Sequence, residues 1–136
     1  MSKLVVPVVV DANFMTVPAQ FGIDVFAEAE RVLEQRVEFI MLSSVLNEIE
    51  AISEGNKRQT EKRAFSIARS LTDRCKQVES IHSQLPVDDQ LLEYTISVNG
   101  ILATNDRNLR INARKKGVPV LYLRGKKRLV LEGFRI

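Results

Sequence analysis

The feature that most constrains the fold of this 136-residue chain is a short apolar run near its start. The run extends from Leu4 to Val10, is rich in valine and ends abruptly at Asp11. A continuous apolar stretch of this length is typical of a strand that is buried on both faces of a parallel sheet. It is far shorter than the ~20 residues that span a bilayer, so we expect no membrane partner.

Segments with strand-like and helix-like patterns alternate along the rest of the chain. Further strands are predicted over Val37–Leu42, Lys76–Ser80, Ile101–Thr104, Val118–Leu123 and Leu129–Leu131. Helices are predicted over Phe21–Gln35, from Ser43 or Ser44 through Ile52, over Ala64–Leu71, from Pro86 to Asn99 and over Asn105–Lys116. This alternation predicts an α/β fold, a three-layer α/β/α sandwich with a mainly parallel central sheet, in one domain over residues 1–136.

Composition excludes several chemistries. The lone cysteine, Cys75, rules out an internal disulfide and a cysteine-based zinc cage, and it indicates a cytoplasmic protein. Cys75 falls in a predicted helical stretch, where we expect a packed small side chain and not a nucleophile. His82 is the only histidine, so a two-histidine ribonuclease mechanism is excluded, and we expect this residue in a solvent-facing loop. The six glycines never form a GxxxxGK phosphate loop, which argues against a nucleoside triphosphate enzyme.

The net charge of +3 hides an uneven distribution. Nine basic residues and no acidic residue occur between Arg107 and Arg128, whereas the rest of the chain is acidic on balance. A basic quarter beside an acidic body favours a polyanionic partner that is brought close to a cation-binding cleft. The alternative is a solvated charged helix and tail. The candidates for phosphate contact are Arg107, Arg110, Arg114, Lys115, Lys126 and Lys127.

Two aspartates follow predicted strands. Asp11 ends the first strand, and Asp106 comes two residues after the strand Ile101–Thr104. Open parallel sheets bind ligands outside the carboxyl ends of their strands, and these ends lie at the same edge. We therefore expect Asp11 and Asp106 to lie at one ligand-binding edge.

A third aspartate lies at the start of the helix that follows Pro86. Asp88 shares a helical face with Leu91 and Leu92, so we expect its carboxylate to point toward the core side. A carboxylate in that position needs a cation or several hydrogen-bond donors. Asp89 is expected on the flank of the helix. The alternative is that Asp88 only caps its own helix, where the dipole favours a negative charge.

The helix that begins near Ser43 carries two glutamates whose positions do not separate them. Glu48 lies at one margin of the apolar stripe formed by Val45 and Ile52, and Glu50 lies at the opposite margin. A solvated side chain is the ordinary outcome at either position. The helical pattern alone leaves the choice between them open.

Four short motifs, in this order, resemble those of the PIN-domain nucleases, and within them the group related to the pre-ribosomal-RNA endonuclease of the small-subunit processome. The first motif is similar to Val9–Asn13 and the second to Ser44–Glu50, in which the acidic residue falls at Glu48. The third resembles Val87–Leu92, whose doubled aspartate is typical of the processome-like group, and the fourth resembles Ala103–Arg107. The resemblance extends through almost the whole chain.

The resemblance implies a carboxylate site that hydrolyses RNA. Its catalytic and metal-binding residues would be Asp11, Glu48, Asp88 and Asp106, with Asp89 as the alternative to Asp88. Clustered carboxylates repel one another and need cations, and oxygen ligands favour Mg²⁺ or Mn²⁺ over zinc. Asn13 and Thr104 are expected to hydrogen-bond the carboxylates and the phosphate. For Asn13, a simple role as a turn residue stays open.

The function expected from this site is that of a metal-dependent endoribonuclease in small-subunit ribosomal RNA processing, with precursor rRNA as its RNA partner. Two alternatives stay open: a toxin-type ribonuclease of a toxin–antitoxin pair, and a noncatalytic RNA-binding ribosome assembly factor. An intact set of four acids favours catalysis, since a pure binding module gains nothing from acids that face a phosphate. A homodimer or an assembly-factor partner also stays open.

Overall fold

A computed structural model describes residues 5–55 and 58–133 of the chain. The strands are β1 (Val5–Val10), β2 (Arg36–Leu42), β3 (Lys76–Val78), β4 (Ile101–Ala103), β5 (Val120–Arg124) and β6 (Arg128–Glu132). The α-helices are α1 (Val17–Phe21), α2 (Val25–Leu33), α3 (Ser43–Glu54), α4 (Gln59–Ser70), α5 (Val87–Ser97) and α6 (Arg107–Lys115). No helix of the described ranges is long and apolar enough to cross a membrane.

The strands form one sheet in the order β3-β2-β1-β4-β5-β6. All neighbouring pairs are parallel except β5 and β6, which form an antiparallel hairpin. Right-handed crossovers place α1 to α4 on one face of the sheet and α5 and α6 on the other. The predicted three-layer α/β/α architecture with a mainly parallel sheet is therefore confirmed.

The strand order reverses between β1 and β4, which pair in parallel through Val8 and Ile101. A crevice at such a reversal, outside the carboxyl ends of the strands, is where open α/β sheets bind ligands. We call this side of the sheet the carboxyl edge; Val10, Ala103 and Arg124 end their strands there. The opposite side is called the amino edge.

The apolar run that opens the chain forms the centre of the sheet. Val6, Val8, Val9 and Val10 are all at most 2% exposed, so consecutive side chains are buried on both faces, as the run predicts. Its first residue, Leu4, lies outside the described residues. The central strand thereby delivers Asp11 to the carboxyl edge from a rigid, fully packed support.

The helix predicted over Phe21–Gln35 is wrong in its first part, because α1 ends at Phe21 and α2 begins only at Val25. Gly22 ends α1 with a left-handed φ of 66°, a conformation that glycine adopts without steric cost. Asp24 then begins α2, since its carboxylate accepts hydrogen bonds from the N–H groups of Phe26 and Ala27. The helical spacing of the apolar residues continued across this break and concealed it.

The predicted helical setting of Cys75 is also wrong. Cys75 has extended backbone and lies between a 3₁₀ turn, Thr72–Arg74, and β3. Its thiol is buried, and this burial raises its pKa to about 12. A thiol that stays protonated is a poor nucleophile, which agrees with the expected packing role.

Candidate active site

Asp11 is the best-fixed acidic residue of the carboxyl edge. Its backbone N–H donates to the carbonyl of Ala103 at 2.9 Å, which continues the pairing of β1 with β4 by one residue. Its Oδ1 accepts from the N–H of Ala12 at 2.8 Å, and its Oδ2 accepts from the hydroxyl of Thr104 at 2.7 Å. Both oxygens are therefore oriented, and the residue is only 7% exposed.

Thr104 connects two of the predicted acids. Its fully buried hydroxyl donates to Asp11 and accepts from the backbone N–H of Asp106 at 3.1 Å. Asp106 in turn caps α6, because its Oδ1 accepts from the N–H of Leu109 at 3.1 Å. One threonine side chain thus fixes the spacing between the loop after β1 and the loop after β4.

Asn13 is part of a second link between these loops. Its Oδ1 accepts from the N–H of Asn105 at 3.2 Å, while it makes no side-chain capping bond to its own 3₁₀ turn. Asn105 extends the link, since its Oδ1 accepts from the N–H of Leu123 at 2.9 Å. Sequence reasoning missed Asn105. Its only signal was an amide residue directly before Asp106 at the end of a strand.

Asp88 lies in the first turn of α5 and is exposed, so the expectation that its carboxylate points toward the core is wrong. The helical phase holds, because Leu91 and Leu92 are buried on that face. However, this burial does not extend to Asp88, although Gln90 in the same turn is buried. The capping alternative is not supported either, since Pro86 occupies the cap position without a side-chain hydrogen bond.

Charge interactions separate Asp88 from Asp89. Partial burial raises the pKa of Asp88, and the charges of Asp106 and Asp89 raise it further. The charge of Asp88 in turn raises the pKa values of Asp11 and Glu48, whereas Asp89 is not among the charges that shift either of those two groups. Of the two adjacent aspartates, Asp88 is the one electrostatically connected to the site.

The two glutamates of α3 face different neighbours. Glu48 keeps an exposed surface, yet partial burial raises its pKa, and the charges of Asp11 and Asp88 add to this shift. Glu50 lies 3.9 Å from the guanidinium of Arg69 on α4. The structure therefore separates Glu48 from Glu50, which the helical pattern alone could not do.

Together these residues make the carboxyl edge an acidic site. Burial is the main reason that the pKa of Asp11 is raised; its two hydrogen bonds oppose this shift, and the charges of Asp88 and Asp106 reinforce it. Such mutual perturbation is typical of functional carboxylate clusters. Within residues 5–55 and 58–133, however, no three His, Cys, Asp or Glu side chains already converge as a metal-binding cluster.

The six candidates for phosphate contact do not form one surface. Arg107 begins α6 beside Asp106, and Lys126 and Lys127 lie in the turn between β5 and β6, so these three are at the carboxyl edge. Helix α6 then runs back across the sheet. It carries Lys115, its last residue, to the amino edge.

Two further candidates on α6 contact residues of the β5–β6 hairpin. The guanidinium of Arg110 stacks on the ring of Tyr122, 4.0 Å from its centroid. Arg114 forms an ion pair with Glu132 at 3.2 Å. The basic sequence segment therefore divides into residues near the acidic site and residues remote from it.

Comparison with known proteins identifies the family. Residues 8–126 match the PIN like domain, so the chain belongs to that family, and the resemblance noted in the motifs is confirmed. Ribonuclease VapC4 of Methanocaldococcus jannaschii is 29% identical over 122 residues, which cover 88% of this chain and 92% of the relative. Ribonuclease VapC9 of Archaeoglobus fulgidus is 34% identical over 94 residues, which cover 69% and 67%.

A solved structure agrees with this assignment at the level of the fold. The PIN domain endonuclease Utp24 is 24% identical and superposes with a TM-score of 0.76, over 94% of this chain and 92% of that chain. The family and the ribonuclease relatives support a nuclease, and the fold supplies the edge at which its acids would meet.

Proposed function

We propose that the protein is an endoribonuclease that hydrolyses RNA phosphodiester bonds with the help of Mg²⁺ or Mn²⁺ at the carboxyl edge. The observation that carries the proposal is the electrostatic coupling of Asp11, Glu48 and Asp88 at the strand-order reversal. Carboxylates that raise one another's pKa without any cationic partner leave an excess of negative charge. A divalent cation relieves that excess.

The donor set fits a hard divalent cation. It consists of carboxylate oxygens from Asp11, Asp88, Asp106 and Glu48, and Mg²⁺ and Mn²⁺ prefer oxygen ligands. When bound, such an ion neutralises charge on the scissile phosphate and favours loss of a proton from the attacking water.

The acids of the site differ in how they are held. Ala12 and Thr104 fix both oxygens of Asp11, and α6 fixes one oxygen of Asp106. The side chains of Asp88 and Glu48, in contrast, make no hydrogen bond or ion pair in the described part of the chain. We infer that the first pair forms the rigid part of the site. The second pair would turn toward a cation when one is present.

Cleavage of a labelled single-stranded RNA tests this proposal. We expect activity with Mg²⁺ or Mn²⁺, none after addition of EDTA, and a loss of roughly 10²–10³-fold in Asp11→Asn. Asp73→Asn is the matched control, because Asp73 is an exposed aspartate in the 3₁₀ turn before β3, at the amino edge. Full activity of Asp11→Asn, or cleavage in EDTA, would refute the metal-dependent mechanism. RNA binding without cleavage under any of these conditions would favour the noncatalytic RNA-binding role.

For the natural substrate we propose a precursor of small-subunit ribosomal RNA, cut in a single-stranded region. This finer proposal rests on the doubled aspartate of Asp88 and Asp89, the feature that resembles the processome-like group. A flexible strand bends into an edge site more readily than a stiff duplex does. Depletion of the protein in its source organism should then let precursor rRNA with an unprocessed end accumulate.

A toxin-type ribonuclease is the second candidate, because both curated relatives carry the VapC name and one of them is covered over 92% of its length. Induced expression separates the two roles. Growth arrest with cleavage of transfer or messenger RNA, alongside normal precursor rRNA on depletion, would favour the toxin-type role.

A further inference from the structure

Arg124 and Arg128 lie directly opposite each other where β5 and β6 join. Directly opposite side chains of an antiparallel pair point to the same side, and like charges there destabilise the pairing. Neither arginine forms an ion pair in the described part of the chain. The turn between them adds Lys126, whose left-handed φ of 61° is uncommon for a residue with a side chain. The tip of this hairpin therefore concentrates positive charge that no acidic group among the described residues neutralises.

Arg110 of α6 lies over the same face of the hairpin. It stacks on Tyr122, which is two residues before Arg124 and therefore points to the same side of the sheet. Its Nε is buried and has no hydrogen-bond partner among the described residues, and it too lacks an ion pair there. Stacking holds the planar guanidinium in place, so less entropy is lost when it binds an anion.

The same face changes character one helical turn further along. There Arg114 meets Glu132, the partner of Val120 across the hairpin, at 3.2 Å. Arg114 thus has an acidic partner toward the amino edge, whereas no described residue forms an ion pair with Arg110. The uncompensated arginines lie only at the end of the face that is next to the acidic site.

A hydrogen bond links the end of β5, just before Arg124, to the loop that carries Asp106. The N–H of Leu123, the residue before Arg124, donates to Asn105, the residue before Asp106, at 2.9 Å. The ends of β4 and β5 are therefore one strand spacing apart, about 4.8 Å. The hairpin tip therefore lies beside the loop that carries Asp106.

We propose that Arg110, Arg124 and Arg128, together called the arginine face, bind phosphates of the RNA strand beside the bond that is cut. This inference rests on the proposed endoribonuclease function and deepens it, because it identifies where the flanking nucleotides bind. The RNA backbone supplies the negative charge that relieves the repulsion between Arg124 and Arg128. Lys115 and Lys116, at the far end of α6, are outside this binding surface.

The test measures binding of a labelled single-stranded RNA to the full chain in EDTA, so that it does not depend on cleavage. The double variant Arg124→Gln/Arg128→Gln is compared with Lys115→Gln/Lys116→Gln, which removes the same charge at the amino edge. Each phosphate contact contributes about −0.7 to the slope of log affinity against log salt, so we expect the first variant to flatten the slope by about 1.4 and to bind roughly tenfold more weakly near 0.1 M salt. The control should keep the wild-type slope.

Equal losses of RNA affinity in the two double variants would overturn the arginine face, because net charge alone would then explain binding. An unchanged affinity in both variants would also overturn it. If the hairpin variant fails to fold, Arg110→Lys takes its place. It keeps the charge and the slope but loses the stacked guanidinium, so we expect a severalfold weaker affinity, and an unchanged affinity would overturn the proposal. If the wild-type protein cleaves RNA but the two double variants have the same salt slope, the arginine face alone is refuted. If the slopes differ but the wild-type protein does not cleave RNA, the nuclease proposal alone is refuted.

Discussion

The two edges of the sheet differ in whether their charged side chains have partners of opposite sign. At the amino edge, Lys116 forms an exposed ion pair with Glu93 at 3.8 Å. At the carboxyl edge, Asp11, Glu48 and Asp88 repel one another and no cation of the described chain offsets them. The carboxyl edge therefore carries clustered negative charges whose repulsion a bound cation would relieve.

This difference has an energetic side. Exposed pairs such as Lys116 with Glu93 contribute only about 0–1 kcal/mol, so the amino edge gains little from its pairing. The acids of the carboxyl edge lower stability, because burial and mutual repulsion disfavour their charged forms. Local rules that a chain breaks at one place tend to mark a functional site. Each prediction below tests whether the carboxyl edge differs from its surroundings in this way.

After Asp11, the largest effect is expected from the adjacent aspartates of α5. Asp88→Asn should lower RNA cleavage by about 10²-fold, since the charge of Asp88 acts on Asp11 and Glu48. Asp89→Asn is the matched control and should stay within severalfold of wild type. Initial rates at saturating Mn²⁺ measure both variants. Equal losses would mean that both side chains reach the cation, and the distinction drawn between them would fail.

A smaller loss is expected from Thr104, which acts through its neighbours as a positioning residue. Thr104→Val removes the donor to Asp11 and the acceptor for the N–H of Asp106, so activity should fall by roughly 10–100-fold and more Mn²⁺ should be needed for half-maximal rate. Thr104→Ser should restore most of the activity and bring the Mn²⁺ requirement close to that of wild type. The control is Thr95→Val, because Thr95 is a buried threonine whose hydroxyl donates only within α5, to the carbonyl of Leu91. A loss of stability with an unchanged Mn²⁺ requirement would make Thr104 a purely structural residue.

The sequence predicted best those features that depend on local pattern. The valine run dictates a central strand, and a central parallel strand must deliver the residue after it, Asp11, to the carboxyl edge. The motif order predicted the family for the same reason, since each motif is a strand end or a helix start. These features need no knowledge of how distant elements pack.

Features that depend on distant packing could not be predicted in the same way. The exposure of Asp88 depends on how the first turn of α5 packs against its neighbours, and the separation of Glu48 from Glu50 depends on where Arg69 of α4 lies. The division of the basic segment depends on the direction in which α6 returns across the sheet. The break between Gly22 and Asp24 was readable in principle, because a glycine followed by a capping aspartate is a local signal.

A moderate effect is expected from the glutamates of α3. Glu48→Gln should reduce cleavage by about tenfold, because one carboxylate that repels Asp11 and Asp88 is replaced by a neutral ligand. Glu50→Gln removes the same charge on the neighbouring surface and only breaks a long contact with Arg69, so its activity should be unchanged. Cleavage rates over a range of Mg²⁺ concentrations distinguish the two. Similar losses would show that net charge on α3, and not the position of Glu48, is what matters.

The smallest effect concerns stability, and its sign follows from the direction of the pKa shift of Asp11. Burial raises this pKa above its ordinary value of 3.8, so the folded protein holds the proton at a pH where the unfolded chain has lost it. Ionised Asp11 therefore lowers stability at neutral pH, and this cost disappears as the pH falls through the raised pKa toward 3.8. In EDTA, Asp11→Asn should melt a few degrees higher than wild type at neutral pH, where about 1 kcal/mol corresponds to roughly 3–5 °C in a chain of this size. The two melting temperatures should converge in acid.

Lys116→Gln, which breaks an exposed pair at the amino edge, should follow the wild-type curve at every pH. If Asp11→Asn melted lower than wild type at neutral pH, the hydrogen bonds from Ala12 and Thr104 would outweigh the cost of burial, and the carboxyl edge would not be the strained side of the molecule.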